Sequence, residues 1–305
     1  MEMTRRTLCE EALEWQLSQP LKEKWEALLA ELRRFERVTV AFSGGVDSSL
    51  LLAAAVRVHG DRALALTARS PSLSERDLAR AVEVSKYLGV RHHFVETDEL
   101  ERPAYRANLG ERCYHCKAAL FEAAGLAKGE AARLQGIAEG QLCYGAIMDD
   151  LGDHRPGMRA AEDYQVVAPL ISAAFYKSDV RALARALELP NWDQPAGACL
   201  ASRFPDGVEV SEEALERVGR YEARLSLLGL VTLRARHHER GLLRLELGAS
   251  ELQRCFSEPA LREEITAAAK ALGFRFVSID LEGYRSGSGN RSDSPLISLH
   301  EPARG

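Results

Sequence analysis

The stretch Val38-Thr39-Val40-Ala41-Phe42-Ser43-Gly44-Gly45-Val46-Asp47-Ser48-Ser49 decides the fold. Its first five residues are β-branched, small or aromatic and read as a short buried strand. Two glycines then let the backbone turn tightly and come close to a ligand. From Ser49 to Val58 the chain is rich in Ala and Leu, which predicts a helix ending at Gly60. A strand, a glycine turn and a helix N-terminus aim backbone N–H groups at one spot, which suits a phosphate. Ser43 and Ser48 add hydroxyl donors. Asp47 is out of place beside an anion unless it holds a divalent cation such as Mg²⁺ or caps the helix. The string is neither the lysine-bearing Walker pattern nor Gly-x-Gly-x-x-Gly, and it brings no lysine to a β or γ phosphate.

Working outward, strand and helix alternate. Residues 7–36 carry Leu and Trp at helical spacing, with a break expected near Pro20. Strands are predicted at 63–67, 92–95 and 141–145, and helices at 73–88, 118–127 and 180–189. This spacing implies right-handed βαβ units and a parallel sheet. A stretch rich in Pro, Gly and Ala runs from Pro190 to Gly207. Beyond it the expected order is helix 212–228, strands 231–235 and 242–247, helix 258–272 and strand 276–281, a small second α/β unit. The tail from Ser286 is Ser/Gly-rich.

The 305 residues are 46% hydrophobic and 28% charged, with a net charge of −5. That is globular composition, and it excludes disordered and collagenous chains. The acidic balance argues against nucleic acid and anionic membranes as partners. No apolar run approaches a membrane span. Met1 to Glu14 has no apolar signal core, which points to the cytoplasm. Six cysteines there favour metal, catalysis or burial over structural disulfides.

Cys199 lies among small residues in Pro195-Ala196-Gly197-Ala198-Cys199-Leu200-Ala201-Ser202-Arg203. Small neighbours leave the sulfur accessible, and Arg203 is a cation that would favour thiolate. Burial in the linker is the alternative. Cys113-Tyr114-His115-Cys116-Lys117 is a Cys-x-x-Cys, open to reading as a redox pair, as two idle helical cysteines, or with Cys199 as three metal-binding thiolates. Cys9, Cys143 and Cys255 lie in apolar contexts and read as packing residues.

The Ser-Gly-Gly-x-Asp-Ser loop resembles that of the PP-loop ATP pyrophosphatases. The resemblance implies a Rossmann-like parallel sheet, a loop gripping the departing pyrophosphate, and adenine lying near Ala41 and Thr67 to Arg69. With the two cysteine strings, Gly145-Ala146-Ile147-Met148-Asp149-Asp150, Asp153-His154-Arg155-Pro156-Gly157 and Lys177-x-Asp179-Val180-Arg181, the chain resembles the LarE family over residues 25–290. These are ATP-dependent sulfur transferases of nickel-pincer nucleotide synthesis.

Along its length the chain divides into an N-terminal helical extension (1–36), a PP-loop ATP-binding domain (37–189), a linker carrying Cys199 (190–207), a smaller α/β domain (208–290) and a loose tail (291–305). The resemblance implies two steps. A carboxylate of pyridinium-3,5-biscarboxylic acid mononucleotide is adenylated with Mg²⁺ near Asp47, and sulfur then displaces AMP. Sulfur comes either from Cys199 sacrificially or from sulfide on a [4Fe–4S] cluster held by Cys113, Cys116 and Cys199. Three cysteines lean toward the cluster. Asp150, helped by Asp149, is placed near the reacting carboxylate, against a solvated turn as the alternative. Ser43, Gly44, Gly45, Asp47, Ser48 and Gly145 are expected at the nucleotide, and Arg155 at a phosphate. Arg234 and Arg236, with His237 and Glu222, are either ligands of the substrate phosphate or a surface ion-pair set. A homo-oligomer and passing contact with other nickel-pincer enzymes are expected. A PP-loop tRNA-thiolating enzyme and an ATP-binding regulatory module are the competing readings. No basic stripe supports the first, and the second leaves the cysteines idle.

Overall fold

Val38–Ala41 (β1) is an inner strand of a four-stranded parallel sheet, with Ala63–Arg69 (β2) and then Arg91–Glu96 (β3) on one side and Gln141–Tyr144 (β4) on the other. The computed structural model describes residues 17–135 (backbone alone over 126–135), 140–152, 156–194 and 197–285. Cys9, Arg155 and the tail from Ser286 lie outside the described residues.

In chain order the first half reads α1 (Gln19–Arg33), β1, α2 (Val46–His59), β2 (Ala63–Arg69), α3 (Glu75–Leu88), β3 (Arg91–Glu96), α4 (Pro103–Ala107), α5 (Arg112–Gln135), β4 (Gln141–Tyr144), α6 (Pro156–Asp163), α7 (Pro169–Ser172) and α8 (Lys177–Ala186). Val40 pairs with Ala65 on one side and Cys143 on the other. Strand order reverses between β1 and β4. In an open α/β sheet the crevice at such a switch point, beyond the carboxyl ends of the strands, is where ligands bind. Here that crevice is formed by Phe42–Gly45 after β1 and Gly145 after β4.

The second half holds α9 (Glu212–Leu227), β5 (Leu233–His237), β6 (Leu242–Leu247), α10 (Ala249–Ser257), α11 (Pro259–Ala271) and β7 (Phe276–Ile279). β5 and β6 are antiparallel, and β6 and β7 parallel. One core runs from Leu21 to Leu189 and includes buried Leu50, Leu51, Val40 and Cys143. A second gathers Leu200, Phe204, Leu215, Tyr221, Leu245 and Cys255, together with Tyr105 from α4. Main-chain bonds Val210 N–H to Arg106 O (2.8 Å) and Gly207 N–H to Asn108 O (2.9 Å) fasten the halves together.

The break expected near Pro20 falls at residues 17–18, Pro20 stands in the first turn of α1 where a residue needs no N–H partner, and residues 7–16 lie outside the described residues. Other boundaries differ from the sequence reading. The helix expected from Ala118 begins at Arg112, which puts Cys113 and Cys116 in its first two turns. The helix expected from Glu258 is preceded by a separate helix, α10, and the two meet at Glu258-Pro259, where proline starts a new helix.

Candidate active site

α2 starts at Val46, inside the loop string, with Gly45 as its N-cap. The hydroxyls of Ser48 and Ser49 both donate to Gly45 O, at 3.0 and 2.9 Å, and tie the turn to the helix. Gly45 N–H donates to Ser43 Oγ (3.3 Å), and the two hydroxyls of Ser43 and Ser48 lie 3.2 Å apart. Two glycines are dictated by close approach. Gly44 has φ +72° and a Cβ there would lie 2.9 Å from Ala81 N of α3. A Cβ on Gly145 would lie 2.8 Å from Ser48 N, so β4 ends directly against the loop. Buried Asn191 fixes the far side by donating to Gly44 O (2.8 Å) and Ser49 Oγ (2.9 Å).

The loop string contains no lysine, but the fold brings one. Lys177, the first residue of α8, places Nζ 2.8 and 2.7 Å from the two carboxylate oxygens of Asp47. Its own N–H donates to Asp149 Oδ2 (2.9 Å), while Asp150 accepts from Ile147 N–H (3.0 Å). Asp149 thus ties the loop after β4 to the start of α8. Asp150 is held by the turn beside it. Ser43, Gly44, Gly45, Val46, Asp47, Arg80, Lys177, Asn191, Gln194 and Gly197 line one cleft.

At the same carboxyl end of the sheet, beside the loop, Thr67 Oγ1 donates to Phe42 O (2.5 Å) and lies 2.8 Å from His92 Nε2. Burial, with His93 beside it, pulls His92 down to about 4, so it is neutral at pH 7. Ala41 is half-buried, and the exposed Arg69 lays its guanidinium 4.9 Å over the Phe94 ring.

Cys199 is exposed and immediately precedes a short 3₁₀ turn, Leu200–Arg203, that is anchored in the second core. Leu200 N–H donates to Ser72 O (2.8 Å), which holds this segment against the loop after β2. Arg203 does not stand as a free cation beside the thiol. It donates two parallel hydrogen bonds to the Glu222 carboxylate, each 2.9 Å, and donates to the carbonyls of Ala198 and Cys199. Cys113 is exposed and Cys116 half-buried, three residues apart on one face of α5. Burial pushes the Cys116 thiol up, and nearby Cys199, Glu99 and Cys113 add to it. The buried Tyr105 hydroxyl is raised by burial and then by Cys199 and Cys116. The three cysteines therefore share one neighbourhood. Among the described residues, no set of three or more His, Cys, Asp or Glu side chains is gathered to hold a metal ion. Cys143 and Cys255 are buried.

The expected arginine set separates. Arg236 forms a buried bidentate ion pair with Glu246, its two hydrogen bonds 3.0 and 2.9 Å long, and donates to Ser202 O (2.6 Å). Glu222 goes to Arg203 and also accepts from Ala235 N–H (2.9 Å). Arg234 packs over the Tyr284 ring at 5.0 Å. Burial lowers its pKa, Arg203 and Arg236 lower it further, and Tyr284 and Glu222 act in the opposite sense.

An asparagine synthase family profile matches residues 25–118, from α1 through the loop and into α5. An uncharacterized protein of Synechocystis is 39% identical over 275 residues, 87% of this chain and 98% of that one. The pyridinium-3,5-bisthiocarboxylic acid mononucleotide synthase of Lactiplantibacillus plantarum is 32% identical over 275 residues, 88% of this chain and 95% of that one. The chain belongs to the LarE family. An uncharacterized protein of Methanocaldococcus jannaschii aligns with this LarE-family chain at 29% identity over 258 residues.

Family membership agrees with the α/β architecture and the parallel sheet. It does not by itself assign roles to side chains. Sequence reasoning gave no role to Lys177, Asn191 or Arg80. Lys177 stood in a family-like string, but its meeting with Asp47 is made by tertiary packing alone. Asn191 and Arg80 carried no local signal.

Proposed function

We propose that this chain is an ATP-dependent sulfurtransferase that converts the carboxylates of pyridinium-3,5-biscarboxylic acid mononucleotide to thiocarboxylates. One observation carries the reading. A single cleft is walled by the phosphate loop and by Gly197, two residues before the exposed Cys199. The relative named above, a synthase of the bisthiocarboxylic acid mononucleotide, supports the choice of substrate.

The loop N–H groups, the N-terminus of α2 and Lys177 receive the β and γ phosphates of ATP. Asp47 fits as the protein ligand of Mg²⁺, which when bound neutralises charge on the phosphates. Lys177 is then released from Asp47 to the leaving pyrophosphate. The substrate carboxylate attacks the α-phosphorus, the bond to the β-phosphate oxygen breaks, and an acyl-adenylate remains. Activation is needed because a carboxylate is a poor acyl donor. Asp149 positions Lys177 through its main chain, and Asp150 holds the loop that faces the reacting carboxylate. Ala41, Thr67 and Arg69 flank the adenine. Arg234 and Arg236 face the substrate phosphate.

A sulfur nucleophile then attacks the acyl carbon and AMP leaves. Cys113, Cys116 and Cys199 suit a [4Fe–4S] cluster as a donor set of three thiols in one neighbourhood, and such a cluster supplies an open iron for an extra sulfide. A second reading is favoured by the exposure of Cys199 and by the lack of a gathered metal set among the described residues. In it the Cys199 thiolate forms a thioester. A base removes its α-proton, the Cβ–S bond breaks, and the sulfur leaves on the product with dehydroalanine behind. Anaerobic purification with iron and sulfide assay, then intact mass before and after one turnover, separates the two. Iron with an unchanged chain mass supports the cluster. Loss of one hydrogen sulfide from the Cys199 peptide supports sacrifice. We place the reaction in the cytoplasm on a small nucleotide, with self-association of the chain and no nucleic-acid partner.

A further inference from the structure

We propose that Arg80 is a phosphate-binding residue that couples nucleotide occupancy to the segment bearing Cys199. The inference rests on the cleft being the ATP site. Arg80 sits on α3, one residue before Ala81, whose backbone is the contact that forbids a side chain at Gly44. Its guanidinium therefore enters the cleft beside the phosphate loop, where it is a lining residue. The side chain is only 12% exposed, and among the described residues its one hydrogen bond is from Nη1 to Asp77 Oδ1 at 2.9 Å. A guanidinium has five N–H donors, so most of its capacity is unspent in a half-closed site.

Asp77 is a weak claim on that cation. It also belongs to the cap of α3, where its Oδ2 accepts from Ser74 Oγ (2.6 Å) and its N–H donates to Ser74 Oγ (3.1 Å). Both cations that line the cleft are thus in ion pairs, Lys177 with Asp47 and Arg80 with Asp77. Each can give its cation to a triphosphate. A bidentate contact to a phosphate is the stronger use of a guanidinium.

The same pair touches the sulfur-bearing segment. A Cβ on Gly197 would lie 3.5 Å from Asp77 Oδ1 and 3.7 Å from Arg80 Nη1. Transfer of Arg80 to phosphate changes what Gly197 packs against, two residues from Cys199. Departure of pyrophosphate returns Arg80 to Asp77. Sulfur delivery is thereby timed to the adenylated state.

The test measures binding of a non-hydrolysable ATP analogue and of AMP to the full chain, and the iodoacetamide rate at Cys199 with and without the analogue. Wild type, Arg80→Ala, Arg80→Lys and Asp77→Asn are compared. We expect Arg80→Ala to weaken the analogue about tenfold or more, the scale of a lost charged hydrogen bond. AMP binding stays unchanged, and the response of Cys199 to the analogue disappears. Arg80→Lys falls between, and Asp77→Asn binds the analogue at least as tightly as wild type. An Arg80→Ala or Arg80→Lys chain with wild-type affinity and a wild-type Cys199 response overturns the inference while leaving the ATP site intact. A wild-type chain that binds no analogue overturns the ATP site itself, and the inference with it.

Discussion

Lys177 and Asp47 stand 130 positions apart in the chain, yet Lys177 Nζ lies 2.8 and 2.7 Å from the two Asp47 carboxylate oxygens. This pairing supplies the phosphate loop with the lysine its own string lacks. It also keeps the loop carboxylate from facing an incoming triphosphate unneutralised. Replacing Lys177 with Met leaves Asp47 as a bare anion at the phosphate end. We expect pyrophosphate release to slow by about 10²-fold, the scale of removing one transition-state charge partner. Asp47→Asn slows the same step, and its deficit should respond to raised Mg²⁺. Stopped-time pyrophosphate assays decide the matter, and a Lys177→Met chain with unchanged release contradicts the assignment.

Gly145 is the position where β4 meets the loop. An added methyl would sit 2.8 Å from Ser48 N, which is backbone and cannot swing away. Gly145→Ala is therefore expected to cost about 1–3 kcal/mol, as other overpacked sites do. The same substitution displaces Ser48 and weakens ATP binding. Urea midpoints and nucleotide titrations check both, and a neutral substitution argues against this packing.

The buried carboxylate of Glu246 serves both Arg236 and Arg244. Glu246→Ala strips a charge partner from Arg236, whose side chain is only 7% exposed. Breaking a buried pair from one side costs about 3–5 kcal/mol. Exchanging Arg236 and Glu246 together for apolar residues should cost much less. Denaturant unfolding of the single and double variants measures the difference.

His92 binds a proton at about 4 in the fold, against 6.5 for an unperturbed histidine. Between those values the unfolded chain takes up more protons than the folded one, so stability present above pH 6.5 drains away as pH falls toward 4. His59, His237 and His238 are shifted the same way, chiefly by burial. We expect the thermal midpoint to fall over this window and His92→Gln to flatten part of the fall. An identical pH profile for that variant removes His92 from the account.

Local sequence carried the first half of the fold well. The run Val38–Phe42, the paired glycines and the Ala/Leu helix are short-range signals, and β1, the loop and α2 follow them. Cys143 and Cys255 are buried, as their apolar neighbours imply. What sequence left open depends on contacts between distant segments. The spacing of Arg234 and Arg236 puts them on one strand face, but pattern alone does not show that Arg236 is taken by Glu246 and Glu222 by Arg203. Nor does it show that Arg203, the cation expected to tune Cys199, is neutralised by that carboxylate. Cys116 comes near Cys199 because Tyr105, Leu200 and Cys116 pack in one core, with no counterpart in local pattern.

The central claim is that a carboxylate is adenylated in the cleft that Cys199 overlooks. Its most direct test supplies the purified chain and its Cys199→Ala variant with ATP, Mg²⁺ and pyridinium-3,5-biscarboxylic acid mononucleotide, and follows diphosphate and thiocarboxylate together. The account predicts diphosphate from both proteins and thiocarboxylate from the wild type alone. Thiocarboxylate from the variant, or no substrate-dependent diphosphate from either, would contradict it.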